Sequence, residues 1–587
     1  MLEQNQDDFN VVAAAHGYLD RILSGISGMK ALVLDSELTG ITSMAYSQSN
    51  LLQQNVVLTT RVEKLRSDTE IMSHLKCVVL LRPIRSNLDL LRAELRNNPK
   101  YGEYHIFFSN TLPVDLLQQL AQADERQLVK QVQEAFVDFY PVSKNLFSLN
   151  IENSLRFSTT RARWSRGEEM KYQRAVKGLA SVLLAFKCNP TQIRYQSKSN
   201  TSMNFAREIR HFIDSEKELF EFRGRPPTLL LILDRRDDPI TPLLTQWTYQ
   251  AMVHELFCIH NNRVDLRKQN TSSSPRNPDT EQIVLSESND QFFAEHMYSN
   301  FGDLGEAIKG LLDSYQKLAK SNRQISTVED MQKFVDSYPE FKKFANNVSK
   351  HVALMGELAH LVDSHRLLDI SQLEQELSCI RDHSNQLEEV RRKVQDSTVD
   401  ANDALRLVLL YALRYESHPN NQIRQLKHLL LQKGLSQLQV NLIDSILDYA
   451  GEKKRAGDLY GESSLISKSL KMATRAVKGV SNVYTQHKPV LAETLDLLSK
   501  GRLRESDFPL VGSSSSTQGA ANARTPKEVI IFMVGGATFE EAMSVNSINN
   551  SGTGLKVVLG GTCVHNSTSF TTEVNDLRNR SGTGAAF

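Results

Sequence analysis

The chain has 587 residues, of which 40% are hydrophobic and 23% charged, the composition of an ordinary globular protein. Its 69 lysines and arginines balance 68 aspartates and glutamates, which argues against a dedicated nucleic-acid binder, because such proteins need a concentrated basic face. The five cysteines lie far apart without a CxxC pair, as is typical of proteins from reducing compartments. The first ten residues do not resemble a signal peptide, and no apolar run approaches the ~20 residues that span a bilayer. We therefore expect a soluble protein that meets membranes through a partner or a peripheral surface.

The first ~150 residues alternate between strand-like and helix-like segments. Asn10 precedes an amphipathic stretch and is predicted to cap its helix. A later helical pattern carries Leu88, Leu91 and Leu95. Short apolar runs predict strands at Ala31–Leu34, Val56–Leu58, Cys77–Leu81 and Ile106–Phe108. Short buried strands separated by helices indicate βαβ units and a mostly parallel sheet.

A second α/β region follows, with a buried helix around Ser181–Phe186 and a strand at Leu229–Leu233. From about Gln246 to Tyr484 the pattern is mainly helical, and strand patterns return only at Val529–Val534 and Val557–Leu559. Because strands need neighbours for their backbone hydrogen bonds, we expect these late strands to pair with Leu229–Leu233. The helical block would then be an insertion within one domain.

Two segments rich in Ser, Asn, Gly and Pro, Gln269–Thr280 and Gly512–Pro526, are predicted to be loops.

The common catalytic motifs are missing from the sequence. It contains no Gly-Lys dipeptide for a P-loop, no GxGxxG after the early strands, no HExxH and no GxSxG. Gly535-Gly536 follows a strand, where a tight turn explains the pair better than a phosphate cradle. In VHELFCIH, Val253–His260, the second histidine breaks the i,i+4 spacing that a helical metal site requires.

One cluster, Asp234–Pro239, offers carboxylates at the end of a buried strand. Asp234, Asp237 and Asp238 could hold Mg²⁺ or act as acid and base. Alternatively, the two arginines in this cluster neutralise the aspartates and fix the chain as it leaves the sheet. We favour the structural interpretation, because Pro239 follows and no phosphate loop is nearby.

The segment around this cluster, LLLILDRRDDPITPLLTQWTYQAMVHELF (Leu229–Phe257), resembles the most diagnostic part of the Sec/Munc (SM) family of vesicle-fusion regulators. The segments MKALVLD and SMAYSQSNLL fit the first domain of that family, and three further blocks are similar to its helical domain and C-terminal strand: His351–Leu377, Leu405–Glu416 and Val529–Ala542. Val284–Gly305 and Val557–Phe570 are similar to the endosomal branch. The likeness covers nearly the whole chain. The chain departs from it at Thr571, where the branch usually has leucine, and in the loop Gly512–Pro526.

The resemblance implies an α/β fold arranged as a three-domain arch, with two parallel-sheet domains and a mainly helical third domain. Domain 1 would comprise residues 1–140, domain 2 residues 141–248 and 483–587, and domain 3 residues 249–482. It also implies a regulator without catalytic residues, metal or cofactor, which works at the trans-Golgi network and endosomes. Its implied partners are the N-terminal peptide and helical bundle of a syntaxin-like Qa-SNARE, the assembled SNARE complex and a vesicle R-SNARE.

Three sites can be transferred residue by residue from the family. A central cleft would use Met44, Tyr46, Arg61 and Glu63, although Met44 and Tyr46 fit a core position equally well. A pocket for the syntaxin N-terminal peptide would use Leu117, Leu120, Ala121 and Val132, although an apolar helical stripe is also typical of core. A SNARE-templating hairpin would use Pro339, Phe344 and Val352, where an ordinary helix start at Pro339 is the alternative.

Two other classes of function stay open at this point. One is a metal- and nucleotide-dependent enzyme on a doubly wound sheet, with Asp234, Asp237 and Asp238 as ligands. The other is a passive vesicle tether, which would bind membranes or coats without accelerating SNARE assembly.

Overall fold

A computed structural model of the chain describes residues 9–66, 70–97, 99–268, 282–323, 328–455, 459, 484–512 and 526–579. The predicted loop at residues 269–280 and most of the predicted loop at residues 512–526 lie outside these ranges. The chain divides into two compact units. The first comprises Met1–Asp234, Leu495–Ala537 and Val545–Val564, and the second comprises Arg235–Thr494, Thr538–Ser544 and His565–Phe587.

Strands and helices are numbered here in chain order. The strands are β1 (Lys30–Leu34), β2 (Val56–Arg61), β3 (Met72–Leu81), β4 (Tyr101–Phe108), β5 (Val129–Glu134), β6 (Tyr140–Ser143), β7 (Leu146–Ser148), β8 (Gln192–Tyr195), β9 (Thr228–Asp234), β10 (Arg263–Asp265), β11 (Gln282–Val284), β12 (Glu528–Val534) and β13 (Lys556–Gly561). The helices up to the middle of the chain are α1 (Val11–Ser24), α2 (Ser36–Ala45), α3 (Gln48–Gln53), α4 (Arg85–Asn97), α5 (Val114–Ala121), α6 (Arg166–Ala185), α7 (Asn200–Ser215), α8 (Tyr249–Phe257), α9 (Gln291–His296) and α10 (Phe301–Arg323). The remaining helices are α11 (Val328–Ser364), α12 (Leu367–Cys379), α13 (His383–Gln395), α14 (Ala401–Tyr415), α15 (Ile423–Gln432), α16 (Gln437–Val440), α17 (Leu442–Ala450), α18 (Val490–Ser499), α19 (Phe539–Asn549) and α20 (Ser567–Asn579).

The first sheet has the strand order β2-β1-β3-β4-β5, and every pair in it is parallel, which confirms the predicted sheet. Every residue of β1 is buried, as expected for a central strand covered on both faces. Helix α4 packs the predicted leucines Leu88, Leu91 and Leu95 into the core beside this sheet. Asn10 caps α1 as predicted, because its side-chain oxygen accepts hydrogen bonds from the backbone N–H groups of Val12 and Ala13.

The second sheet joins segments that lie far apart in the sequence. Its order is β6-β7-β13-β12-β9-β8. Thr228–Asp234 pairs in parallel with Glu528–Val534, which in turn pairs in parallel with β13. The predicted pairing of the late strands with the strand at Leu229–Leu233 is therefore confirmed. The ring of Phe532 on β12 stacks between Phe147 and Phe205, at centroid distances of 6.1 and 5.1 Å.

The second unit is mainly helical, and one of its cores gathers side chains from α8 to α12. Its fully buried members include Tyr249 and Leu354. The expectation of strand patterns only after residue 529 is wrong, because β10 and β11 form an antiparallel pair in this unit. Each of these strands has three residues with a single buried one, which is too short for a periodic pattern to be recognised. The predicted α/β architecture with two mainly parallel sheets and a helical block is otherwise confirmed.

Helices α10 and α11 form an antiparallel pair in the second unit. The ring of Tyr315 on α10 stacks on Phe341 of α11 at 5.8 Å and lies 6.3 Å from the ring of Phe344. No helix in the described ranges is both long enough and apolar enough to cross a bilayer.

Candidate functional site

The surface of α5 carries an exposed apolar stripe. Leu117 is 40% exposed and Val114 is 69% exposed, while Ala121 is also on the surface. These three residues are spaced i, i+3 and i+7, so they share one face of the helix. Leu116 and Leu120 instead pack into the core of the first unit. The helix thus buries one face and presents another, which is the arrangement expected of a helix that lines a peptide pocket.

The four predicted pocket residues therefore divide into two groups. Leu117 and Ala121 are accessible, and Val132 lies half-buried on the edge strand β5. Leu120 is only 2% exposed, so its side chain belongs to the core and is not available to a peptide. Val114 was not predicted, although its helical spacing from Leu117 is visible in the sequence.

The predicted cleft residues also divide. Met44 and Tyr46 are 6% and 4% exposed and pack in the core. This agrees with the alternative interpretation, a core position for both residues. The Tyr46 hydroxyl donates to Asp20 Oδ1 at 3.0 Å, and its ring stacks on His16. Burial and the neighbouring Asp20 carboxylate raise the pKa of Tyr46 to about 12.

Arg61 and Glu63 are the cleft candidates that reach solvent. Arg61 ends the edge strand β2, and Glu63 lies in the short helical turn Val62–Arg66 that follows it. Both side chains are exposed and of opposite charge. They are suited to polar contacts at the rim of an interface, where charges contribute to selectivity and association rate.

Pro339 lies inside one helix, α11, and neither starts nor breaks it. The alternative prediction of an ordinary helix start at Pro339 is therefore wrong. Proline has no N–H group, so the backbone carbonyl of residue 335 lacks its usual helical donor. Phe341 and Phe344, directly after the proline, pack against Tyr315 and hold this turn to α10. Val352 is 40% exposed on the same helix.

A buried polar network anchors α11 next to Val352. The Tyr249 hydroxyl lies 2.7 Å from Nδ1 of His351, and Nε2 of His351 lies 2.9 Å from Oδ2 of Asp290, which Lys350 also contacts. Burial lowers the pKa of His351. Burial alone would raise the pKa of Asp290, but its bonds to His351 and Lys350 lower it to about 2. Sequence reasoning missed this network because its members lie 61 and 102 residues apart.

The cluster Asp234–Pro239 uses its carboxylates as acceptors for neighbouring groups. Asp234, at the end of β9, accepts a hydrogen bond from Ser199 Oγ at 2.7 Å. Asp238 accepts from the N–H and hydroxyl of Thr241 and from the N–H of Val490. Burial works to raise the pKa of Asp238, but Arg235 and these donors hold it below its ordinary value. The arrangement supports the structural interpretation of the cluster.

Arg235 is the most deeply buried charge of this cluster, with no exposed surface. Its Nη1 and Nη2 atoms donate to the two carboxylate oxygens of Glu541, each at 2.8 Å. Glu541 stands in the first turn of α19 and forms a reciprocal cap with Thr538. The preceding Gly535 and Gly536 both have φ near +90°, which glycine adopts readily, so the prediction of a tight turn is confirmed.

The sequence matches known proteins over most of its length. The sequence model of the Sec1 family matches residues 30–573. The chain is 43% identical over 568 residues to vacuolar protein sorting-associated protein 45 of Homo sapiens, covering 96% of both chains. It is 42% identical over 570 residues to the protein of that name from Dictyostelium discoideum, covering 97% of both chains.

Solved structures agree with these matches. The SM protein Vps45, solved in complex with the Qa SNARE Tlg2 (1–310), has 42% sequence identity and a TM-score of 0.87, covering 98% of this chain and 99% of that chain. Sly1p, solved with an N-terminal peptide of Sed5p, shares the fold at 17% identity, with a TM-score of 0.75. The resemblance read from the sequence is confirmed by these matches.

Proposed function

The chain belongs to the Sec1 family, and from this premise we propose that it binds a syntaxin-like Qa-SNARE and promotes or proofreads SNARE complex assembly in vesicle fusion. The observation that carries the proposal is the likeness, over nearly the full length of both chains, to an SM protein solved with its Qa-SNARE.

The surfaces of this chain support the proposal. The exposed stripe Val114, Leu117 and Ala121 offers an apolar helix face to an N-terminal peptide. Arg61 and Glu63 offer charged contacts to a helical bundle. Binding by several surfaces of moderate strength requires no catalytic group, so we propose a regulator rather than an enzyme.

The proposal extends to partners, domains and location. The chain engages the assembled SNARE complex and a vesicle R-SNARE as well as the Qa-SNARE. Its domains are residues 1–140, residues 141–248 with 483–587, and residues 249–482. It acts at trans-Golgi and endosomal membranes, which it reaches through its partners.

We expect the purified chain to form a one-to-one complex with the cytosolic segment of its Qa-SNARE. Deleting the N-terminal peptide of the SNARE should weaken this complex, because the stripe on α5 then loses its ligand. Light scattering after size exclusion gives the stoichiometry, and calorimetry gives the affinity. Failure to bind any endosomal Qa-SNARE would contradict the proposal. Binding without faster SNARE assembly would favour a passive tether.

We expect Pro339→Ala to raise the rate of SNARE assembly several-fold. Alanine restores the N–H donor for the carbonyl of residue 335 and stabilises the helix α11, on which a vesicle SNARE would be templated. Assembly is followed by fluorescence transfer between labelled SNAREs. Glu340→Ala, on the same exposed turn, is the matched control. An unchanged rate with an unchanged melting temperature would argue against the hairpin as a template.

A further inference from the structure

A cavity in the second unit is assigned to no part of the proposed function. It has a volume of about 590 Å³ and lies between α8, α14 and α20. This volume falls within the ~300–1,000 Å³ typical of ligand sites. Leucines from three helices, Leu256, Leu409 and Leu442, line part of its wall, and polar side chains line the rest.

Glu255, Asp403 and Arg406 line the polar part of the cavity, where negative charge is in excess. The guanidinium of Arg406 contacts three carboxylates: Glu374 at 2.9 Å, Asp403 at 3.0 Å and Glu255 at 3.2 Å. All three lie in the interior or nearly so. Burial raises the pKa of Glu374, which favours its neutral form. Even with Glu374 protonated, one guanidinium faces two carboxylates, and uncompensated charge in a low-dielectric site favours the entry of a cation.

Asp403 is the carboxylate through which such a cation would be held. It is 8% exposed and lines the cavity. Its Oδ1 accepts from Arg406, whereas its Oδ2 has no hydrogen-bond donor among the residues that the structure describes. Nδ1 of His365 lies 4.0 Å from this oxygen, beyond hydrogen-bond distance. The His365 side chain is 46% exposed, so a change of rotamer uncovers Oδ2 from the cavity side.

The wall formed by α20 keeps the cavity open and polar. Thr571 lies in this wall, and its hydroxyl donates to the backbone carbonyl of Ser567 at 2.7 Å. A leucine at this position would add apolar volume to the wall. The neighbouring Thr568 and Thr572 present further hydroxyls to the cavity.

We propose that this cavity binds a primary ammonium group on an apolar stem, with Asp403 Oδ2 as its acceptor and the leucines around the stem. A lysine side chain of a partner peptide and a free alkylamine share this chemistry. None of the residues assigned to SNARE binding lines the cavity, so a negative result here would leave the proposed function untouched.

The test measures binding of three probes to the full chain by saturation-transfer NMR and calorimetry. The probes are n-pentylammonium, the capped tripeptide Leu-Lys-Leu and the same tripeptide with uncharged norleucine in place of lysine. We expect both ammonium probes to bind, and the norleucine peptide to bind at least tenfold more weakly. Tighter binding of the lysine peptide than of pentylammonium identifies a peptide as the source, and the reverse identifies a free amine.

Asp403→Asn should lower the affinity for the ammonium probes about tenfold, because the acceptor loses its charge. Thr571→Leu should weaken binding by narrowing the cavity and removing one of its hydroxyls, and it is the variant to use if Asp403→Asn melts at a lower temperature. Asp448→Asn, an exposed acid outside the cavity, is the matched control and should bind like the unmodified chain. The proposal is overturned if no ammonium probe binds, if the charged and uncharged peptides bind equally, or if both folded cavity variants retain full affinity.

Discussion

Replacing Arg235 by methionine is expected to destabilise the protein by about 3–5 kcal/mol, because the change leaves Glu541 charged and without its partner in the interior. Both side chains have no exposed surface, and two hydrogen bonds of 2.8 Å join them. Desolvation alone would lower the pKa of Arg235, but the carboxylates of Glu541 and Asp238 raise it on balance. The arginine is therefore charged in the folded protein.

Urea unfolding followed by circular dichroism measures this effect. Arg267→Met is the matched control, because Arg267 forms a comparable contact with Asp265 at 2.8 Å but is half exposed. We expect that control to change stability by less than ~1 kcal/mol. The double variant Arg235→Met with Glu541→Leu should recover part of the loss, because it removes both charges. Equal losses in the single and double variants would show that the methionine acts through packing alone.

The sheets were predictable because their central strands are continuous apolar runs. Residues of β1, β9 and β12 are all buried, so their hydrophobic character appears directly in the sequence. The pairing of β9 with β12 followed from the requirement that each strand have a neighbour. Strand β5 was missed for the opposite reason, because this edge strand mixes partly buried and exposed residues, most of them polar, and has no apolar run.

The polar interior could not be predicted, because its contacts join residues that are distant in the sequence. Arg235 and Glu541 lie 306 residues apart, and single-sequence periodicity carries no information on such a pair. The continuation of helix α11 through Pro339 was not predicted, for a different reason. Local propensity favours a break at proline, but the packing of Phe341 on Tyr315 holds the helix across it. In the same way, spacing could not tell exposed Leu117 from buried Leu120, since both lie on one short amphipathic helix.

Leu117→Arg is expected to weaken binding of the Qa-SNARE N-terminal peptide at least tenfold without unfolding the chain. Leu117 is 40% exposed, so an arginine there reaches solvent and disturbs no core contact of α5. In the proposed complex, however, the guanidinium would have to be desolvated against an apolar side chain of the peptide. Fluorescence anisotropy with a labelled N-terminal peptide measures the affinity. Asp115→Arg, on the same helix and also exposed, places an arginine one and two residues from Val114 and Leu117, off the stripe, and should bind normally.

A cycle with the truncated partner then separates the peptide site from the rest of the interface. If Leu117 contacts the N-terminal peptide, Leu117→Arg should weaken binding of the full Qa-SNARE cytosolic segment but leave the affinity for the peptide-deleted segment unchanged. If the losses of affinity from Leu117→Arg and from deletion of the peptide simply add, the arginine acts elsewhere on the chain. Because Val114 shares the stripe and is 69% exposed, Val114→Arg should show the same dependence on the peptide. Leu120→Ala should instead lower the melting temperature, since that side chain packs in the core of the first unit.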